Sequence, residues 1–129
     1  NDIIGCLNNW VDGWVDWNMV LDRQGGPNWF KNWCVAPIIV DPEKDEVYFT
    51  PLYYVMAHFS KFMRPGAVKI GCTISNQELV ATAVKNPDNS IVVAIFNPTD
   101  LPQTLELKLN NKLTIISINA KALQTVVIN

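Results

Sequence analysis

The chain of 129 residues has a single histidine, and its three cysteines, Cys6, Cys34 and Cys72, form no Cys-x-x-Cys pair. A structural zinc site draws four such ligands together at short spacing, so no metal is expected, and nothing in the sequence calls for a cofactor. An odd cysteine count leaves at least one thiol free, and small buried apolar side chains are the expectation for all three. An excess of basic residues is also missing. Ten Lys and Arg stand against twelve Asp and Glu, for a net charge of −2, which argues against a nucleic-acid partner. No apolar run approaches the ~20 residues of a membrane-spanning helix. The chain opens on Asn1, with Ile3 and Ile4 already apolar, and it is expected to be a piece of a longer protein with no leader within this stretch. What is present, 49% apolar and 17% charged residues, is the make-up of a folded globular chain too apolar to stay disordered.

Aromatic residues are nearly absent from the second half. Twelve of the thirteen lie before Met63, leaving only Phe96 beyond it, and all five Trp fall between Trp10 and Trp33. After Gly66, Val, Ile and Thr make up 21 of the last 63 residues. A boundary is therefore placed at Arg64-Pro65-Gly66, where Pro and Gly supply the breaker. Downstream, strands are expected at Val68–Ile74, Leu79–Lys85, Ile91–Phe96, Thr104–Leu109, Leu113–Ile118 and Leu123–Ile128. Turns fall at Asn86-Pro87-Asp88-Asn89, Asn97-Pro98-Thr99-Asp100 and Asn110-Asn111. Short strands at this spacing, with strict alternation over Leu105–Leu109, predict an antiparallel sandwich or barrel and require no helix.

The first half reads differently. Thr50-Pro51 is a helix start, and Leu52, Val55, Met56, Phe59 and Phe62 follow at helical spacing, predicting a helix over Pro51–Met63. Asp2–Val11 reads as the last turns of a helix, and Gly13–Met19 as a short buried strand whose partners lie outside the chain. A loop of about 30 residues runs from Val20 to Phe49, longer than loops without a task usually are. Trp29, Phe30 and Trp33 within it argue for an ordered, functional segment. Trp10 and Trp14 are read as core. Trp17, near the end of the expected strand, is the best sugar platform. The acidic run Asp41, Glu43, Asp45 and Glu46 is read as a solvated turn, Asp16 as a structural hydrogen-bond acceptor, and His58 as structural. A glycosidase needs two carboxyls flanking the bond it cleaves, and no such pair declares itself.

Four blocks then fall in order: Gly13-Trp14-Val15-Asp16-Trp17-Asn18-Met19, Gly25-Gly26-Pro27-Asn28-Trp29, Ala36-Pro37-Ile38-Ile39-Val40-Asp41 and His58-Phe59-Ser60-Lys61-Phe62. Over roughly Asp2 to Gly71 the chain resembles the C-terminal part of the glucosylceramidases, the acid β-glucosidases of glycoside hydrolase family 30. The resemblance implies the end of a (β/α)8 TIM barrel, its last strand and last helix, over residues 1–65, and an antiparallel β-sandwich over 66–129. It implies a retaining hydrolase of glucosylceramide or related β-glucosides whose two catalytic Glu residues precede Asn1. The piece alone would then be inactive, and the upstream part of the same protein would complete the barrel. Matched by position, Trp17, Asn32, Trp33 and Cys34 would line the substrate pocket, with Asp16 and Asn18 behind them. Trp33 and Cys34 depart from the Phe and Val of the human-type enzymes, which bears on the aglycone. A secreted or lysosomal-type location is implied as well, although Asn97-Pro98-Thr99 has Pro in the middle and no usable glycosylation acceptor is present. The alternatives are another family-30 specificity, xylanase or β-1,6-glucanase, and a non-catalytic carbohydrate-binding sandwich.

Overall fold

The computed structural model describes residues 1–129. The chain forms two compact units, one built from residues 1–12 and 62–129 and the other from residues 13–61.

In the first unit, helix α1 (Asp2–Asn8) buries Ile3 and Ile4. The chain then runs through β4 (Val68–Ile70), β5 (Val80–Lys85), β6 (Ile91–Asn97), β7 (Gln103–Leu109), β8 (Lys112–Ile118) and β9 (Ala122–Ile128). The strands form a four-stranded antiparallel sheet, β4-β5-β6-β9, and a two-stranded one, β7-β8. Five of the six expected strands match to within a residue or two at their ends. The first stops at Ile70 instead of Ile74: its ladder to β5 ends at Ile70↔Ala83, and Cys72 and Ile74 leave the ladder while still packing on the core. Alternation sets that core. Ala81 and Ala83 of β5, Val93 and Ile95 of β6, and Ile116 and Ile118 of β8 form one buried cluster, with Leu105 and Leu107 of β7 against it.

Two buried asparagines fasten the turns. The Asn86 amide donates to the Phe62 carbonyl at 2.9 Å and the Ser90 hydroxyl at 3.0 Å, and its oxygen accepts the Arg64 N–H at 3.0 Å. The Pro-Gly breaker is thereby tied to the β5–β6 turn. Asn97, fully buried, donates to the Leu101 and Asn119 carbonyls and accepts from the Thr99 N–H and hydroxyl. Asn89 and Asn110 take the left-handed turn positions, φ 72° and 54°, a conformation Asn tolerates better than most residues.

The second unit holds strands β1 (Val20–Asp22), β2 (Ile38–Asp41) and β3 (Glu46–Phe49) and helix α2 (Pro51–Ser60). β1 runs parallel to β2, and β2 pairs antiparallel with β3. Three expectations are corrected. The segment Gly13–Met19 is irregular, and regular pairing begins only at Val20, because β2 reaches no further back than the Ile38 N–H on the Met19 carbonyl. β1 finds a parallel partner inside the chain, and the expected long loop, Val20 to Phe49, holds all three strands of this sheet. Helix α2 ends at Ser60, and Thr50 makes no capping bond; its hydroxyl donates to the Ala36 and Pro37 carbonyls instead.

Trp10 is also corrected. It lies past the end of α1 at φ 65°, is 82% exposed, and carries the Lys69 ammonium 5.9 Å above its ring, a cation–π contact. Trp14 is half-buried.

Candidate functional site

The segment after β1 is built around Asp22. Its carboxylate accepts the N–H groups of Gln24 and Gly26, both at 2.8 Å, the arrangement by which Asp initiates a tight turn. Gly25 follows at φ +70°, and a Cβ there would lie 2.6 Å from the Cys34 nitrogen and 2.7 Å from the Cys34 oxygen. Only glycine permits that approach, and it brings the far end of the loop back against its start. The Gly26–Pro27 peptide is cis. Asn28 then bridges the loop, donating to the Gly25 carbonyl at 3.3 Å and accepting the Asn32 N–H at 3.1 Å.

The base of the loop is held by charge. The Arg23 guanidinium donates to the Asp41 carboxylate at 2.9 Å. Asp41 is 3% exposed and also accepts the Glu43 N–H. Burial alone would raise the Asp41 carboxyl pKa, but Arg23 and the amides of Glu43 and Lys44 outweigh it and hold the group below its ordinary value. This corrects the reading of the acidic run. Glu43, Asp45 and Glu46 are exposed, whereas Asp41 is a buried anchor.

Turn, approach and bridge together shape an open groove of about 680 Å³. Trp17, Asn18, Asn32 and Cys34 all line it, together with Gly25, Pro27, Asn28, Trp29, Phe30 and Lys31. Trp33 does not. It lines a neighbouring groove of about 590 Å³ with Arg23, Val35, Ile39 and Tyr48, and Cys34 borders both. Asp16 lines neither: one carboxylate oxygen accepts the Trp17 N–H at 2.9 Å, while the other is buried without a hydrogen-bond partner. The reading of Asp16 as an acceptor thus fits one of its two oxygens. Trp29 and Phe30 were legible as loop aromatics, but their place in one groove with Trp17 was not, because it depends on the fold of the loop around Gly25. His58 is half-buried on α2, and burial pushes its imidazole pKa down. Burial raises the Cys72 thiol pKa, and all three cysteines are unbridged.

The lining offers flat aromatic faces, three side-chain amides (Asn18, Asn28 and Asn32), the Lys31 ammonium and the Cys34 thiol, and neither a carboxylate nor an imidazole. Trp17 is 81% exposed, Trp29 94% and Phe30 88%. Aromatic rings presented this way beside Asn amides suit stacking on a ring-shaped polar ligand and hydrogen bonding to its hydroxyls. The pair of carboxyls that glycoside hydrolysis uses is not among the residues lining this groove. No group of three or more His, Cys, Asp and Glu residues is arranged to hold a metal ion, and no helix is long and apolar enough to cross a membrane.

The irregular Trp17 segment, parallel pair and helix, followed by an antiparallel sandwich, are the end of a TIM barrel with its side domain. Two family models match these parts, the glycosyl hydrolase family 30 TIM-barrel domain over residues 1–63 and the glycosyl hydrolase family 30 beta sandwich domain over residues 66–126. The chain belongs to glycosyl hydrolase family 30. It is 43% identical over 111 residues to putative glucosylceramidase 2 of Caenorhabditis elegans, a match covering 84% of this chain and 22% of that protein. It is 41% identical over 108 residues to the lysosomal acid glucosylceramidase of Mus musculus, covering 81% of this chain and 21% of that one. Among solved structures, SrfJ from Salmonella typhimurium superposes with a TM-score of 0.95 at 27% identity, over 98% of this chain and 28% of SrfJ. The chain spans about a fifth of the length of the curated relatives it matches.

Proposed function

We propose that this chain is the C-terminal portion of a retaining β-glucosidase that hydrolyses glucosylceramide or related β-glucosides. Residues 1–65 supply the end of the catalytic barrel and 66–129 the sandwich. The observation that carries the reading is the convergence of Trp17 and Asn32 in one open groove, in a chain whose relatives are glucosylceramidases. Trp17 stacks on the sugar ring and keeps water from the oxocarbenium-like transition state, and Asn32 binds a sugar hydroxyl. Cys34 and Asn18 line the same pocket, and Asp16 supports it through the Trp17 backbone. Trp33, in the adjoining groove, faces the aglycone side. The acid/base and nucleophile, the two carboxyls of such chemistry, come from the upstream part of the same protein, which also covers the exposed apolar residues of 13–61. The glycoside is the partner, and the setting is extracytoplasmic, of the secreted or lysosomal type.

The test is a substrate panel on the complete enzyme: glucosylceramide, a chromogenic β-glucoside, xylan and a β-1,6-glucan. Preference for the first two supports the reading. Preference for xylan or the glucan would make it another family-30 specificity. The 129-residue piece alone should turn over none of them. Sugar binding by the isolated piece without any hydrolysis in the complete protein would mark a carbohydrate-binding module.

A further inference from the structure

The groove depends on a loop that has little to hold it. No backbone–backbone hydrogen bond forms between Pro27 and Val35. Within this chain Trp29, Phe30 and Trp33 do not anchor the loop by burial, being 94%, 88% and 69% exposed, so whatever the upstream part adds, the local restraint is polar. Lys31 sits at φ 54°, a left-handed conformation that opposes a side chain bearing a Cβ. The chain therefore turns back at Lys31 against its own preference and delivers Asn32 to the groove. What meets it there is the Asn28 side chain, whose oxygen takes the Asn32 N–H at 3.1 Å while its NH2 group reaches the Gly25 carbonyl at 3.3 Å. Gly25 is itself fixed against Cys34, so Asn28 links Asn32 to the rigid turn at the start of the loop.

We infer that Asn28 is a positioning residue, holding the Lys31-Asn32 turn in the one arrangement that presents Asn32 to the sugar. This rests on the functional reading above for what Asn32 touches, but not for how the loop is held. Side-chain-to-backbone bonds of this kind replace missing secondary structure. A net bond of that type is worth up to about 10-fold in a conformational equilibrium. Displacing a substrate contact by 1 Å can alter rate as much or more.

Two measurements on the complete enzyme separate the loop from the substrate. The first is limited cleavage by trypsin after Lys31, which is exposed, followed by mass spectrometry. Cleavage at an exposed loop tracks the population of its open form. Asn28→Ala should be cut about 10-fold faster than the parent. Asn28→Asp keeps the acceptor for the Asn32 N–H and gives up only the longer bond to Gly25, and it should stay within about 3-fold. The second is the split of KM from kcat on the β-glucoside. Asn28→Ala should raise KM about 10-fold with kcat little changed, and Asn28→Asp should restore most of the loss. Cleavage of Asn28→Ala at the parent rate, or Ala and Asp variants that behave alike, would overturn the inference. An Asn32→Ala variant with unchanged KM would instead sink the sugar contact, and cleavage after Lys31 would still decide whether Asn28 holds the loop.

Discussion

The two units of this chain bury their apolar residues very differently. In the sandwich unit, Val92, Val93, Ala94, Ile95, Ile116 and Ile118 are each at most 7% exposed. In residues 13–61 the large apolar side chains are mostly outside: Val15 is 91% exposed, Met19 71% and Val35 74%, and α2 has no buried residue at all. One unit is shaped by its core; the other is shaped by polar devices, the Asp22 turn, the Gly25 approach, the Arg23–Asp41 pair and the Asn28 bridge. The candidate site lies in the second. A core cannot offer its aromatic faces to a ligand, whereas a loop fastened by hydrogen bonds can.

The largest expected effect tests the core side of that contrast. Ile95→Ala, at a side chain 1% exposed, should destabilise the protein by about 2–5 kcal/mol in chemical denaturation. Leu107→Asp, which sets a charge against the same cluster, should be comparably severe. Phe30→Ala in the loop should stay within about 0.5 kcal/mol. Comparable losses at Ile95 and Phe30 would break the comparison, because they would give the loop a hidden core.

Next comes Trp17. In the complete enzyme Trp17→Ala should lower kcat/KM by about 100-fold, roughly 2.7 kcal/mol of transition-state stabilisation, with little change in melting temperature. Near-normal activity would sink the site assignment. A collapsed melting temperature would instead make Trp17 part of a core completed elsewhere in the protein.

Gly25→Ala sharpens the point about polar fastening. With φ at +70° and a Cβ meeting the Cys34 backbone at 2.6 Å, the substitution should cost about 1–3 kcal/mol and disturb the groove. Gly13→Ala, where no atom lies within 4 Å of the added Cβ, is the control and should be near neutral. Equal effects in urea denaturation would refute the view that the Gly25 contact shapes the loop.

How much of this was legible follows the same division. The sandwich was read almost strand by strand, since alternation such as Leu105-Glu106-Leu107-Lys108-Leu109 records a buried face directly and Asn-Pro turns mark the ends. In the unit that holds the groove, the sequence pointed to residues that do meet there, but not to their geometry. Trp17, Asn32 and Cys34 were singled out, yet Gly13–Met19 was expected to be a strand, and β2 and β3 were passed over. An apolar run shows that a segment wants burial, not which ladder it finds, and parallel pairing between Val20–Asp22 and Ile38–Val40 leaves no local mark. Trp33 was grouped with Trp17 by its matched position in the resemblance, whereas it lines the other groove. Asp41 was hidden in an acidic run because nothing local announces that Arg23, eighteen positions away, will reach it.

That pair gives the smallest effect and one with a defined sign. The Asp41 carboxyl is held below its ordinary value of 3.8, chiefly by Arg23 against the opposing pull of burial. A carboxyl whose pKa is lower folded than unfolded binds its proton more weakly when folded. Its contribution is therefore fully present above about pH 3.8 and is lost as pH falls through the lower, folded value. The loop base should be indifferent to pH from neutrality to about 4 and loosen only in stronger acid. Fluorescence of Trp29 and Trp33, the loop tryptophans, should report that transition. Asp41→Asn keeps an acceptor for the Glu43 N–H but removes the charge, so its titration should be flatter, with a looser loop already at neutral pH. Arg23→Gln should move the transition toward higher pH, because the carboxyl then keeps burial and loses its main opponent. A midpoint that stays put in both variants would show that the base is held by the Asp22 turn and the β1–β2 pairing alone, and that the ion pair only decorates it.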